Sequence, residues 1–211
     1  MPELAKHFLI SSVLLKITKQ KKMKRLIIAL VFILGHFTNG FSQEGTLKVG
    51  DKAPEFSAVT DDGSVWDLKN HVGKENIVVY FFPAAMTGGC TKEACAYRDV
   101  KSDISSADAT VVGISGDSEE GLKLFKMAED LNFPLLSDSK GEIAAKFGVP
   151  TRDGGQITRE IDGKSYDLVR GITASRWTFI IDKKGNISYI NEKVDAANDA
   201  SQVLQFLKNN L

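Results

Sequence analysis

The sequence predicts an α/β domain in which helices flank a mixed central sheet. Three observations carry this. Asn76–Phe82 (NIVVYFF) and Thr110–Ser115 (TVVGIS) are continuous apolar runs rich in β-branched and aromatic residues, as expected of strands covered on both faces. Each run is followed by a helical segment. The chain then closes with a strand hairpin and an amphipathic helix, an order that builds a sandwich around a mixed sheet.

Taken in order, Phe56–Val59 and Ser64–Asp67 flank the turn signal Asp62-Gly63 and read as a hairpin. Pro83 ends the first buried strand, and Thr87 to about Ser105 reads as one helix. The next helix, Ser118–Leu131, places Leu124, Phe125, Ala128 and Leu131 on one face, with Asp117 and Glu120 placed to cap its start. Pro134–Ser137 is a short strand and Gly141–Phe147 a short helix. Between Val149 and Gly171 lies a polar section with a hairpin about Asp162-Gly163. Trp177–Ile181 and Ile187–Ile190 pair about Lys184-Gly185-Asn186. In the last helix Ala196, Ala200, Val203, Leu204 and Leu207 share a face. A thioredoxin-like fold has this order, although periodicity alone does not select it.

The 211 residues are 43% hydrophobic and 26% charged, an ordinary globular composition that supports one well-buried core. The net charge of zero conceals an asymmetry. Residues 1–42 hold seven of the 27 basic residues and one of the 27 acids, so 43–211 keeps 20 against 26, a net charge of −6. Such a body argues against a nucleic-acid surface. Met23-Lys24-Arg25, the apolar run Leu26–Leu34 and the stretch HFTNGFSQ follow the order of a signal peptide. Cleavage after Ser42 would leave small residues, Gly40 and Ser42, at the two recognition positions. Residues 1–42 are therefore expected to be a leader with its true start at Met23, and 43–211 a single exported, periplasmic domain with no membrane span after processing. The alternative is a membrane anchor built from Phe8–Leu15 and Leu26–Leu34.

Both cysteines, Cys90 and Cys95, lie in FFPAAMTGGCTKEAC, separated by four residues rather than the two of a CxxC motif. In an exported protein such a pair can be a structural staple. However, a domain of this size buries enough core without one, and a five-residue step gains little from cross-linking. Metal binding is disfavoured, because a structural zinc needs about four ligands. Beyond the leader the chain offers these two thiols and one histidine, His71, which argues equally against a Cys–His pair. If Thr87 caps the helix, Cys90 is its third residue, with Gly88 and Gly89 leaving the first turn uncluttered. There, free N–H groups and the positive end of the helix dipole favour a thiolate.

The pattern Pro83-xxx-Thr87-xx-Cys90 resembles the active-site signature of the peroxiredoxins, and CTKEACAYRD resembles their bacterioferritin comigratory (PrxQ) branch. The resemblance spans 46–211 and includes KVGDKAPEF, GISGDS and ITASRWTFIID. The section 149–170 is longer than in compact members of the family.

The resemblance implies a thioredoxin-like fold and a thiol peroxidase acting on hydrogen peroxide and organic hydroperoxides. It makes Cys90 the peroxidatic nucleophile and Cys95 the resolving cysteine. It gives Thr87 the peroxide contact, Pro83 the shielding of the thiolate, Arg176 the cationic wall, and Glu93 and Gly89 supporting places. It implies no cofactor or metal, a thioredoxin-like reductant as partner and a monomer. Taken singly, Thr87 reads as a cap, Pro83 as a strand stop, Glu93 as a solvated first-turn acid and Arg176 as a surface arginine. Their joint spacing argues otherwise. Two rivals stand beside this reading: a thioredoxin-type disulfide oxidoreductase on the same fold, and a non-enzymatic exported domain with a disulfide staple.

The implied Cys90–Cys95 disulfide has a geometric consequence. Five residues of regular helix advance about 7.5 Å and turn about 140°, leaving the Cα atoms roughly 8–9 Å apart. A disulfide tolerates at most about 7 Å. Oxidation is therefore expected to unwind the helix locally, at least from Gly88 to Cys95.

Overall fold

The computed structural model describes residues 47–210; the leader and its cleavage region lie outside them. Strands β1 (Ser57–Val59) and β2 (Val65–Asp67) form the first hairpin. They are followed by β3 (Asn76–Phe81), α1 (Gly88–Asp99), α2 (Lys101–Ser106), β4 (Ala109–Ser115), α3 (Glu119–Ala128), β5 (Leu135–Ser137) and α4 (Glu142–Lys146). The chain continues through β6 (Thr151–Ile161), β7 (Lys164–Ala174), β8 (Trp177–Ile181), β9 (Ile187–Asn191) and α5 (Asp199–Asn210). The central sheet has the order β5-β4-β3-β8-β9. β3, β4 and β5 run parallel, whereas β8 is antiparallel to β3 and β9 to β8. The predicted mixed sheet between helices is present. No helix among the described residues is long and apolar enough to cross a membrane.

The unbroken apolar run of β3 now has its reason. Side chains alternate across a strand. Val78, Tyr80 and Phe82 enter one core cluster with Cys90, Ala94, Tyr97, Leu122, Phe125, Val203 and Leu207 from α1, α3 and α5. Ile77, Val79 and Phe81 enter the other, with Phe56, Trp66, Ile143 and Phe147. Both faces are covered, so neither set can be polar. At the strand's end the chain must emerge between the two layers, at the C-terminal edge of the parallel strands.

Three elements differ from the sequence reading. The single helix expected over 87–105 bends at Val100 (φ −100°, ψ 8°) into α1 and α2, and the bend lets Ile104 enter the core. Ser118, not Asp117, caps α3 by accepting from Gly121 N at 3.2 Å. Asp117 is turned inward and buried. The polar section contains the predicted turn, with both residues left-handed (Asp162 φ 49°, Gly163 φ 73°), as a two-residue Asp-Gly hairpin requires. Its strands run the full eleven residues of β6 and β7, forming an arm. Few of its side chains are buried; β7 alternates Tyr166, Leu168 and Ile172 on one face, but Gly154, Gly155 and the charged residues of β6 break the pattern in its partner.

Candidate active site

The segment Phe82–Thr87 leaves β3 and delivers α1 with its N-terminus over the sheet edge. Cys90 is the third residue of α1 and only 2% exposed. Thr87 sits at the cap position with extended backbone (φ −108°, ψ 147°), but its side chain does not cap. Its Oγ1 instead donates to Ala84 O at 2.9 Å. That correction matters chemically. The first N–H groups of α1 have no intrahelical acceptor. With the hydroxyl turned away from them, they remain free for an incoming oxygen, and Thr87 Oγ1 keeps its acceptor capacity.

Arg176 lies in the turn between β7 and β8, and the sheet register brings it to the helix start. Its Nη2 donates to Cys90 Sγ at 3.2 Å, and its Nη1 donates to Glu93 Oε2. Burial works against the Arg176 charge, but the neighbouring Glu93 and Cys90 outweigh it and hold its pKa above the usual range. A Cβ at Gly89 would lie 3.3 Å from Arg176 Nη2, so glycine there gives the guanidinium its room. Gly88 has no such role, since a Cβ on it meets nothing within 4 Å. Pro83 is half-buried beside this loop.

Glu93 is not a solvated first-turn acid. It lies in the second turn, 0% exposed, and burial pushes its carboxyl up to about 8; Asp199 adds to the rise while Arg176 opposes it. Below it lies a layer the sequence did not disclose. Asp199 Oδ2 accepts from Tyr97 Oη at 2.5 Å and from Thr178 Oγ1 at 2.7 Å. Burial raises the Asp199 carboxyl as well, against its hydrogen bonds to Tyr97 and Thr178. Nothing local in the sequence marks Asp199, since only packing turns it inward.

Cys95 sits elsewhere on α1. It is half-exposed, and its Sγ donates to Glu129 Oε2 at 3.6 Å. Burial raises its pKa, Arg98 opposes the rise and Glu129 adds to it. Both cysteines are free thiols, which suits an intact helix holding the two. His71 stacks on Trp66 and bonds Glu75 at 2.7 Å, beside the other core cluster.

Residues 49–190 match the AhpC/TSA family. Peroxiredoxin Bcp of Escherichia coli K12 is 38% identical over 162 residues, covering 77% of this chain and 96% of that protein. The chain belongs to the peroxiredoxins. Among solved structures, peroxidoxin BcpB of Mycobacterium tuberculosis is similar at 31% identity and a TM-score of 0.65, over 78% of this chain and 99% of that one. The bacterioferritin comigratory protein of Xanthomonas campestris, described for its alkyl peroxide reduction activity, is similar at 25% identity and a TM-score of 0.61, over 77% of this chain and 96% of that one. The thioredoxin-like architecture of the peroxiredoxins accounts for the mixed sheet, and membership of the family makes the protein a thiol peroxidase.

Proposed function

We propose that the protein reduces hydrogen peroxide and organic hydroperoxides through a Cys90 sulfenic acid and a Cys90–Cys95 disulfide, recycled by a thioredoxin-like dithiol. The observation that carries this is the Cys90 thiol, held by Arg176 at 3.2 Å in the first turn of a helix. The cation and the helix terminus favour thiolate, which attacks one peroxide oxygen and breaks the O–O bond. The departing oxyanion takes a proton and leaves as water or alcohol. Arg176 and the free N–H groups meet the charge that develops on the way, and Thr87 Oγ1 accepts from the peroxide hydroxyl. The Cys95 thiol then condenses with the sulfenic acid, forming the S–S bond and releasing water. The external dithiol reduces that bond by exchange. None of these steps calls for a metal or cofactor.

Stoichiometric peroxide added to the reduced protein tests this. The expected product has lost both thiols and weighs two hydrogens less. Cys90→Ser should not react, whereas Cys95→Ser should consume one equivalent and leave a trappable sulfenic acid. The reverse pattern would exchange the two roles, and a pair inert to peroxide would return the staple reading.

We also propose that the mature protein is an exported monomer. Charge, apolar run and small residues in the order of a signal peptide over Met23–Ser42 support the export. Recovery of an unprocessed chain in the cytosol, after expression from Met23 in a Gram-negative host, would overturn it.

A further inference from the structure

The β6–β7 arm is the part of the molecule that the family reading left without a task. It is fastened along its base. Leu168 is fully buried, Ser118 N donates to Val169 O at 2.9 Å, and Gly171 N donates to Gly116 O at 2.9 Å. These bonds lay β7 along the segment that follows β4, the segment that contains Asp117. From β6 Arg159 then reaches back to the active-site loop, its Nε donating to Met86 O at 3.0 Å. A second donation, from Nη1 to Thr158 O at 3.0 Å, fixes the guanidinium plane.

The carbonyl it grips belongs to an unusual residue. Met86 has φ 55°, in the left-handed region that a side chain with a Cβ seldom adopts, and it immediately precedes Thr87. A backbone held there relaxes unless its surroundings hold it. The loop is bound at each of its three residues. Ala84 O accepts from Thr87 Oγ1 at 2.9 Å, Ala85 N donates to Asp117 Oδ2 at 2.8 Å, and Met86 O accepts from Arg159. Asp117 is itself braced by Ser115 Oγ at 2.9 Å. Thus the arm and the segment it is fastened to supply two of the three restraints, one on each side of the peptide linking Ala85 to Met86.

We propose that Arg159 is a positioning residue for the peroxidase reaction: the arm clamps Met86 in its left-handed conformation and so fixes Thr87 and the first turn of α1 around Cys90. Arg159 acts through Met86, with no contact to Cys90 assigned to it. The proposal rests on the peroxidase reading above. It gives the lengthened section a function within the site. A clamp of this kind lowers the cost of orienting the peroxide and leaves the thiolate's own cation, Arg176, unchanged.

The test is single-turnover oxidation of Cys90 by hydrogen peroxide, which is neutral and so insensitive to charge steering. Arg159→Ala should react about fivefold to tenfold more slowly, while the pH titration of the Cys90 thiol stays at the wild-type position. Arg159→Lys, which keeps a donor for Met86 O, should recover most of the rate. Arg152→Ala removes the same charge from an exposed arm position that touches nothing in the loop, and should react like the wild type. If Arg159→Ala does not fold, Arg159→Met serves in its place and the Lys comparison is unaffected. A wild-type rate in Arg159→Ala, an equal loss in Arg152→Ala, or no recovery in Arg159→Lys would each overturn the clamp. Failure of the wild-type protein itself to react with peroxide would instead overturn the peroxidase reading.

Discussion

The two cysteines ride on one helix and meet opposite surroundings. Cys90, at the start of α1, faces a guanidinium and unpaired N–H groups and is buried. Cys95, little more than one turn later, is half-exposed and faces the carboxylate of Glu129. A cation favours thiolate and an anion favours thiol. The proposed chemistry makes the same side chain a nucleophile at one position and a neutral, waiting partner at the other. Chemical identity is the same; what differs is which neighbours the helix turns each thiol towards.

The largest expected structural change is in the helix that separates them, and the largest loss of rate is at Arg176. In the reduced protein α1 holds both thiols, and bonding them requires its first two turns to open. Amide hydrogen exchange across Thr87–Tyr97 should accelerate by at least about tenfold on oxidation, with β3 and β4 still protected. Equal protection in both redox forms, with the disulfide confirmed by mass, would break the comparison at its base. Next is Arg176→Lys. An ammonium cannot reproduce the planar fork shared between Cys90 and Glu93. Peroxide attack should slow by about 10²-fold in a folded protein, and the Cys90 thiol should titrate higher. Unchanged kinetics would remove Arg176 from the site.

A smaller effect is expected at the second thiol. Glu129→Gln keeps an acceptor for the Cys95 S–H but removes the negative charge. The Cys95 pKa, read by alkylation in a Cys90→Ser background, should fall, and disulfide formation after peroxide attack should quicken roughly threefold. A rise in that pKa would reverse the role assigned to Glu129. The last is read as stability rather than rate and concerns Glu93. Its carboxyl, raised by burial from 4.5 to about 8, contributes stability that is complete below the lower value and lost as pH rises through the upper one. Glu93→Gln should therefore flatten the fall in denaturant midpoint over that interval. An unaltered slope would mean that Glu93 is ionised throughout.

The sheet was legible because β3, β4 and β8 are buried on both faces and so are built mostly of apolar residues. The length of the arm was not, because β6 is mostly exposed and mixes Gly154, Gly155 and charged residues, while pairs such as Thr158 and Asp167 face solvent. The same division runs through the site. Cys90, Thr87 and Arg176 were named by the family resemblance, and packing brings Arg176 to the thiol and Glu93 to Arg176. Thr87 was read as a cap because the residue type suits one, but tertiary geometry sent its proton to Ala84 O. Asp199, Asp117 and Arg159 are ordinary charged residues in sequence. Each acquires its place only when a distant element closes over it.

The bend at Val100 decides how far each catalytic cycle can disturb the molecule. A straight helix from Gly88 to Ser106 would be one spring, and slack released at Cys90 would travel to Ile104 in the core. The kink works as a firebreak. On its near side Tyr97 is pinned to Asp199 at 2.5 Å, and on its far side Ile104 is fully buried. On the proposed disulfide cycle, the strand beneath and the short helix beyond form a fixed abutment from which the opened turns would be rebuilt after each reduction.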